Sequence, residues 1–156
     1  MNVEYILIDD TNPEHRELAI YRTGTINLVR LQDSTYTTYG SIDMDGHDYA
    51  AFFHYGLPEQ LNTLPFISES GHGLDSWDEA FLHHSSIKAM KTIIGEQLQS
   101  INVNRHDTVL LGWQNEPVGV AYFRDIDPAR FAFFLEKLQA IAGRALEEVL
   151  DLEFML

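Results

Sequence analysis

Cysteine is absent from the 156 residues, which excludes a disulfide framework, a thiolate metal site and a cysteine nucleophile, and fits a chain kept in a reducing compartment. Bases are scarce. Ten Lys and Arg stand against 24 Asp and Glu, a formal net charge of -14. Such a chain repels phosphate backbones and anionic lipid surfaces, so neither nucleic acid nor membrane is expected as a direct partner. No apolar run approaches the ~20 residues that span a bilayer. The opening Met1, Asn2, Val3, Glu4, Tyr5 lacks the basic region of a secretory signal, so a cytoplasmic location is the expectation.

The strong catalytic signatures are missing too. There is no Gly-x-Ser-x-Gly, no Gly-x-x-x-x-Gly-Lys, no Gly-x-Gly-x-x-Gly and no His-Glu-x-x-His, which lowers the case for an enzyme without closing it, because active sites are often assembled from distant residues. Seven His are present, but His83 and His84 are adjacent rather than spaced i, i+4, and no ligand spacing calls for a metal or another cofactor.

What is present is a composition of a folded globule: 45% hydrophobic and 12% aromatic residues, enough apolar surface to offset the entropy of ordering. At this length one core suffices, and with no repeat or linker in view residues 1–156 read as a single domain. Residues 3–9 and 25–31 read as strands, with a short helix starting near Asn12-Pro13. Residues 36–43 and 47–55 flank Asp45-Gly46, a strong hairpin signal, whose register would pair Ile42 with Tyr49, Tyr39 with Phe52, and Asp43 with Asp48. Residues 56–76 read as a loop with one helical turn near Glu59. From 76 to 101, Trp77, Ala80, Ile87, Met90, Ile94, Leu98 and Ile101 recur at helical spacing, with His83 or His84 filling the gap and a joint expected there. Residues 108–113 and 118–123 read as a second hairpin that sets Gly112 against Gly119. Asp127 and Pro128 then open a long helix whose core stripe is Phe131, Phe134, Leu138, Ile141, Ala145 and Val149. The expected fold is α+β, a mainly antiparallel sheet built from hairpins with two long helices packed on one side.

Charge is uneven along the chain. Residues 1–80 hold 14 of the 24 acids but three of the ten bases. Within this half, Asp43, Asp45, Asp48, Glu69, Asp75, Asp78 and Glu79, with Tyr49, His72 and Trp77 among them, form the candidate partner-binding set: acids to steer a cationic surface, aromatics to anchor it. The expected function is that of an acidic, immunity-protein-like inhibitor that neutralises a basic toxin or nuclease by direct binding. Two other readings compete. His72, flanked by Gly71 and Gly73 with Glu69 and Asp75 nearby, is raw material for a small hydrolase. Apolar residues Phe154, Met155 and Leu156, with Phe133, Leu146 and Leu150, offer a surface for a homodimer or regulatory subunit. Asp75 or Ser76 as a helix cap with Trp77 buried is the plain structural reading of the 69–79 segment.

Overall fold

The computed structural model describes residues 2–156. Its strands are β1 (Val3–Leu7), β2 (Gly24–Val29), β3 (Gly40–Met44), β4 (Ile67–Ser68), β5 (Glu79–Leu82), β6 (Asp107–Gln114), β7 (Gly119–Ile126) and β8 (Asp151–Met155). Its α-helices are α1 (Pro13–Arg16), α2 (Gly46–His54), α3 (Leu57–Leu61), α4 (Ile87–Ser100) and α5 (Pro128–Glu148). The strands form two sheets: β1-β7-β6, in which β1 runs parallel to β7, and an antiparallel sheet ordered β3-β2-β8-β5-β4. This is the α+β class expected, with α4 and α5 as the two longer helices and three short ones beside them. No helix among the described residues is long and apolar enough to cross a membrane.

Helix α5 follows from its sequence. The Asp127 carboxylate accepts from the backbone N–H groups of Ala129 and Arg130, Pro128 occupies the first turn where no donor is needed, and Phe131, Phe134, Leu138, Ile141 and Ala145 are buried. Val149 does not extend the stripe. It closes the helix in the left-handed conformation, φ 54°, and is exposed. The chain then turns into β8, which lies at the centre of the five-stranded sheet. Phe154 and Leu152 are fully buried and Leu150 and Leu156 nearly so. The C-terminal Phe154-Met155-Leu156 is therefore core strand and not a free apolar tail; of that set only Met155, Phe133 and Leu146 are exposed.

Asp45-Gly46 does not turn a hairpin. The Asp45 side chain accepts from the Asp48 backbone N–H at 2.8 Å and caps α2, the other structure that an Asp-Gly pair serves. Tyr49, Phe52 and Phe53 then fall at helical spacing, and Tyr49 and Phe52 reach the core. The partner of β3 is β2, and Asp43 faces Thr25, not Asp48.

The apolar period from Trp77 is likewise not one helix. Residues Glu79–Leu82 form β5, inserted between β4 and β8, with Ala80 and Leu82 buried. A 3-10 turn at His84–Ser86 leads into α4, which begins at Ile87. Neither Asp75 nor Ser76 caps a helix, and Trp77 is 79% exposed. The 56–76 stretch holds α3 and β4. The second hairpin forms as β6 and β7, but a bulge between Leu110 and Gly112 shifts its register, so Gly112 faces Tyr122 and Gly119 faces Val3 of β1.

The inner face of the five-stranded sheet, with Ile26, Leu28, Ala80, Leu82, Leu152 and Phe154, joins buried residues of α2, α4 and α5 in one large core. A smaller core of Ile8, Val120 and Tyr122 lies under the three-stranded sheet.

Candidate functional site

Sheet order brings together acids that are far apart in sequence. Asp43 of β3 faces Thr25, Thr25 faces Met155, and Met155 faces Glu79 of β5. Directly opposed residues share a face, so Asp43 and Glu79 lie in one row on the outer face of the large sheet. The next row is Ser41, Asn27, Glu153 and Phe81. Among the described residues, no Lys or Arg pairs with Asp43, Glu69, Asp78 or Glu79; Asp78 takes a short hydrogen bond from the Ser70 hydroxyl.

Glu153 is the centre of this face and is 0% exposed. Its Oε1 accepts from Asn27 Nδ2 at 2.8 Å and, in a short bond, from the Tyr36 hydroxyl, while its buried Oε2 has no donor unless Glu79 is protonated. Burial alone would raise Glu153, but hydrogen bonds from Glu79, Tyr36 and Asn27 outweigh it and hold its carboxyl below the ordinary glutamate value. Glu79 moves the other way. Its hydrogen bond to Glu153, then burial, then the charges of Glu153, Asp78 and Glu69 push it up to about 7. The result, below about pH 7, is one proton shared between two carboxyls.

No protein-family model, curated protein or solved structure matches this chain.

The other residues singled out by sequence go elsewhere. Asp45 caps α2 and pairs with Arg130 at 2.6 Å; burial raises its carboxyl, but the Asp48 backbone N–H and the Arg130 guanidinium outweigh that and hold it low. Asp48 belongs to a buried pair. His47 Nε2 accepts from the Asp127 backbone N–H at 2.9 Å, which leaves the proton on Nδ1 to donate to Asp48 Oδ1 at 3.0 Å. His47 thus ties the start of α2 to the cap of α5. His72 is exposed between Gly71 and Gly73, whose φ values are 80° and 72°, and its ring makes no hydrogen bond among the described residues. Asp75 receives the Ser76 backbone N–H. Tyr49 and Trp77 do meet, across a cleft, through Arg22, a residue that no motif in the sequence marks.

Two groups of His and Asp lie close enough to share an ion: Asp45, His47 and Asp48, and His83, His84 and Asp151. In the second, Asp151 Oδ1 accepts from the His84 backbone N–H at 2.6 Å and Oδ2 from the Leu31 N–H at 2.8 Å, and His84 Nδ1 is 3.1 Å from Oδ1. That carboxylate knits three chain segments, a structural task that explains its burial. Finally, the outer face of the three-stranded sheet is apolar: Tyr5, Leu7, Leu110 and Trp113 are exposed around Phe123.

Proposed function

We propose that this chain is an acidic binding protein, immunity-protein-like, that neutralises a basic toxin or nuclease by direct contact through the outer face of its five-stranded sheet, and that it acts in the cytoplasm. The observation that carries the reading is the row Asp43, Thr25, Met155, Glu79, with the buried Glu153 beside it hydrogen-bonded to Glu79. Crowded carboxyls without a cation are costly to the free protein. A Lys or Arg of a partner would relieve that cost in the complex, so the same charges that are unfavourable alone become favourable on binding. Tyr36 and Met155, both exposed on this face, supply apolar contact of the kind that anchors an interface. The acids also steer encounter, a contribution that salt screens.

The test compares two variants of equal charge. Asp43→Asn/Asp78→Asn/Glu79→Gln neutralises the two acids of that row and Asp78, whose charge acts on Glu79; Glu96→Gln/Glu136→Gln/Glu147→Gln removes three charges from α4 and α5. Tagged wild-type protein and both variants are used to capture partners from source lysate at low and high salt. The reading predicts a stoichiometric basic protein, released by salt, held by wild type and the helix variant and lost by the face variant. Equal retention by all three would remove this face from the interface.

A further inference from the structure

Asp151 opens β8 opposite Val29 of β2, at the end of the large sheet where β2 and β5 run out on either side of the central strand. The chain leaving β2 gives the Leu31 N–H to Asp151 Oδ2, and the chain leaving β5 gives the His84 N–H to Oδ1. These two bonds account for the burial of the carboxylate. They do not account for the two imidazoles gathered beside it.

On an α-helix adjacent side chains do not face each other. Here His83 is extended, φ -65° and ψ 147°, and His84 begins a 3-10 turn, so the backbone changes direction between them and the two rings come together, centroids 3.9 Å apart. One nitrogen of each ring and a carboxylate oxygen of Asp151 lie within 4.8 Å of one another. His84 Nδ1 stands 3.1 Å from Asp151 Oδ1. A metal that holds one nitrogen and one oxygen at about 2.1 Å sets them roughly 2.9 Å apart at a right angle and roughly 3.4 Å apart at the tetrahedral angle, so this pair already has the spacing of two ligands on one ion. Outer contacts that hold ligands in place are present as well: the two backbone N–H groups fix the carboxylate, and Ser85 Oγ lies 2.7 Å from His83 Nδ1. The group around His47 differs, because His47 uses both nitrogens, on Asp48 and on the Asp127 N–H, and Asp45 is paired with Arg130.

His83, His84 and Asp151 line a recess of about 290 Å³ together with Arg30, Leu31, Gln32 and Val149. The Arg30 guanidinium lies over the Tyr39 ring, 4.9 Å from its centroid.

We propose that His83, His84 and Asp151 bind a divalent transition-metal ion of the zinc class, with the recess leaving room for water or a small ligand at the remaining coordination position. Two imidazoles and a carboxylate are a donor set that suits zinc, whereas calcium takes oxygen donors. The ion takes the place of the proton between His84 Nδ1 and Asp151 Oδ1, and in a neutral ring that proton reappears on Nε2. The site uses none of the acids of the sheet row, and neither proposal depends on the other.

The test is calorimetric titration of Zn²⁺ into the untagged, chelator-treated full chain, with excess Ca²⁺ present to occupy sites made of carboxylates alone. The expected result is one equivalent bound with a dissociation constant of about 100 μM or tighter, at least tenfold weaker binding by His83→Ala and by His84→Ala, and unchanged binding by His72→Ala. His83 is exposed and its side chain bonds only Ser85 among the described residues, so His83→Ala keeps the fold, which a metal-free melt verifies, and that variant decides the matter. Zn²⁺ binding weaker than about 100 μM, its loss in excess Ca²⁺, or a loss of less than tenfold in His83→Ala would overturn the proposal.

Discussion

Glu79 and Glu153, from adjacent strands, meet carboxyl to carboxyl on the outer face of the large sheet and are driven in opposite directions, Glu79 up to about 7 and Glu153 below its ordinary value. The signs fix how stability follows pH. An acid raised in the folded state contributes stability that is fully present below its unfolded value, near 4.5, and is lost as pH rises through about 7. Glu153 contributes oppositely, with stability present above 4.5 and lost only below its depressed value. Between pH 4.5 and 7, therefore, Glu79 governs. Thermal melts should show Tm falling across that window, and Glu79→Gln, whose amide donates at every pH, should flatten the profile and raise Tm at pH 8 by about 2–4 °C, ~1 kcal/mol after screening of an exposed group. An unchanged slope would show that the two carboxyls do not share a proton.

His47 is 2% exposed and satisfies the buried Asp48 carboxylate and the part-buried Asp127 N–H at once. His47→Ala leaves the Asp48 carboxylate and the Asp127 N–H without partners, so urea unfolding should report a loss of about 2–4 kcal/mol. A loss below ~1 kcal/mol would mean that water replaces the ring at no cost.

Removing Phe154, Met155 and Leu156 takes the end off the central strand. The truncated chain should lose its cooperative thermal transition, and Phe154→Ala, which empties the place where that ring meets Phe66 edge-on at 5.5 Å, should cost roughly 3–5 kcal/mol. A truncated chain that still melts cooperatively, changed only in oligomeric mass, would contradict the placement of β8.

Asp127 caps α5 with bonds to Ala129 and Arg130. Asp127→Ala should therefore cost about 1 kcal/mol in denaturant unfolding, and Asp127→Ser should recover most of it.

Where local chemistry decides structure, the sequence is readable. Asp127-Pro128 and the stripe behind it specify α5, and the alternation on either side of Asn115-Glu116 specifies β6 and β7. Asp45-Gly46 is ambiguous because a capped helix and a tight turn want the same residues; the choice is made by burial of Tyr49 and Phe52, which is tertiary. Trp77 and Ala80 fall in phase with α4 by coincidence, and β5 forms because β8 is there to pair with it. That Asp43 and Glu79 share a face depends on sheet order, which no local pattern encodes. Glu153 and Arg22 differ in how visible they are in the sequence. A glutamate in an acidic chain carries no signal, but Arg22 is one of three Lys or Arg residues in the first 80, and that rarity marks it.

If the outer sheet face, and not the net charge, holds the proposed basic partner, neutralising that face weakens binding more than neutralising the helices. With the captured partner purified, calorimetric dissociation constants for wild type, the Asp43→Asn/Asp78→Asn/Glu79→Gln variant and the Glu96→Gln/Glu136→Gln/Glu147→Gln variant test it at one salt concentration. The face variant should lose at least tenfold in affinity, about 1.4 kcal/mol, and the helix variant should change little. Equal losses in both would contradict it.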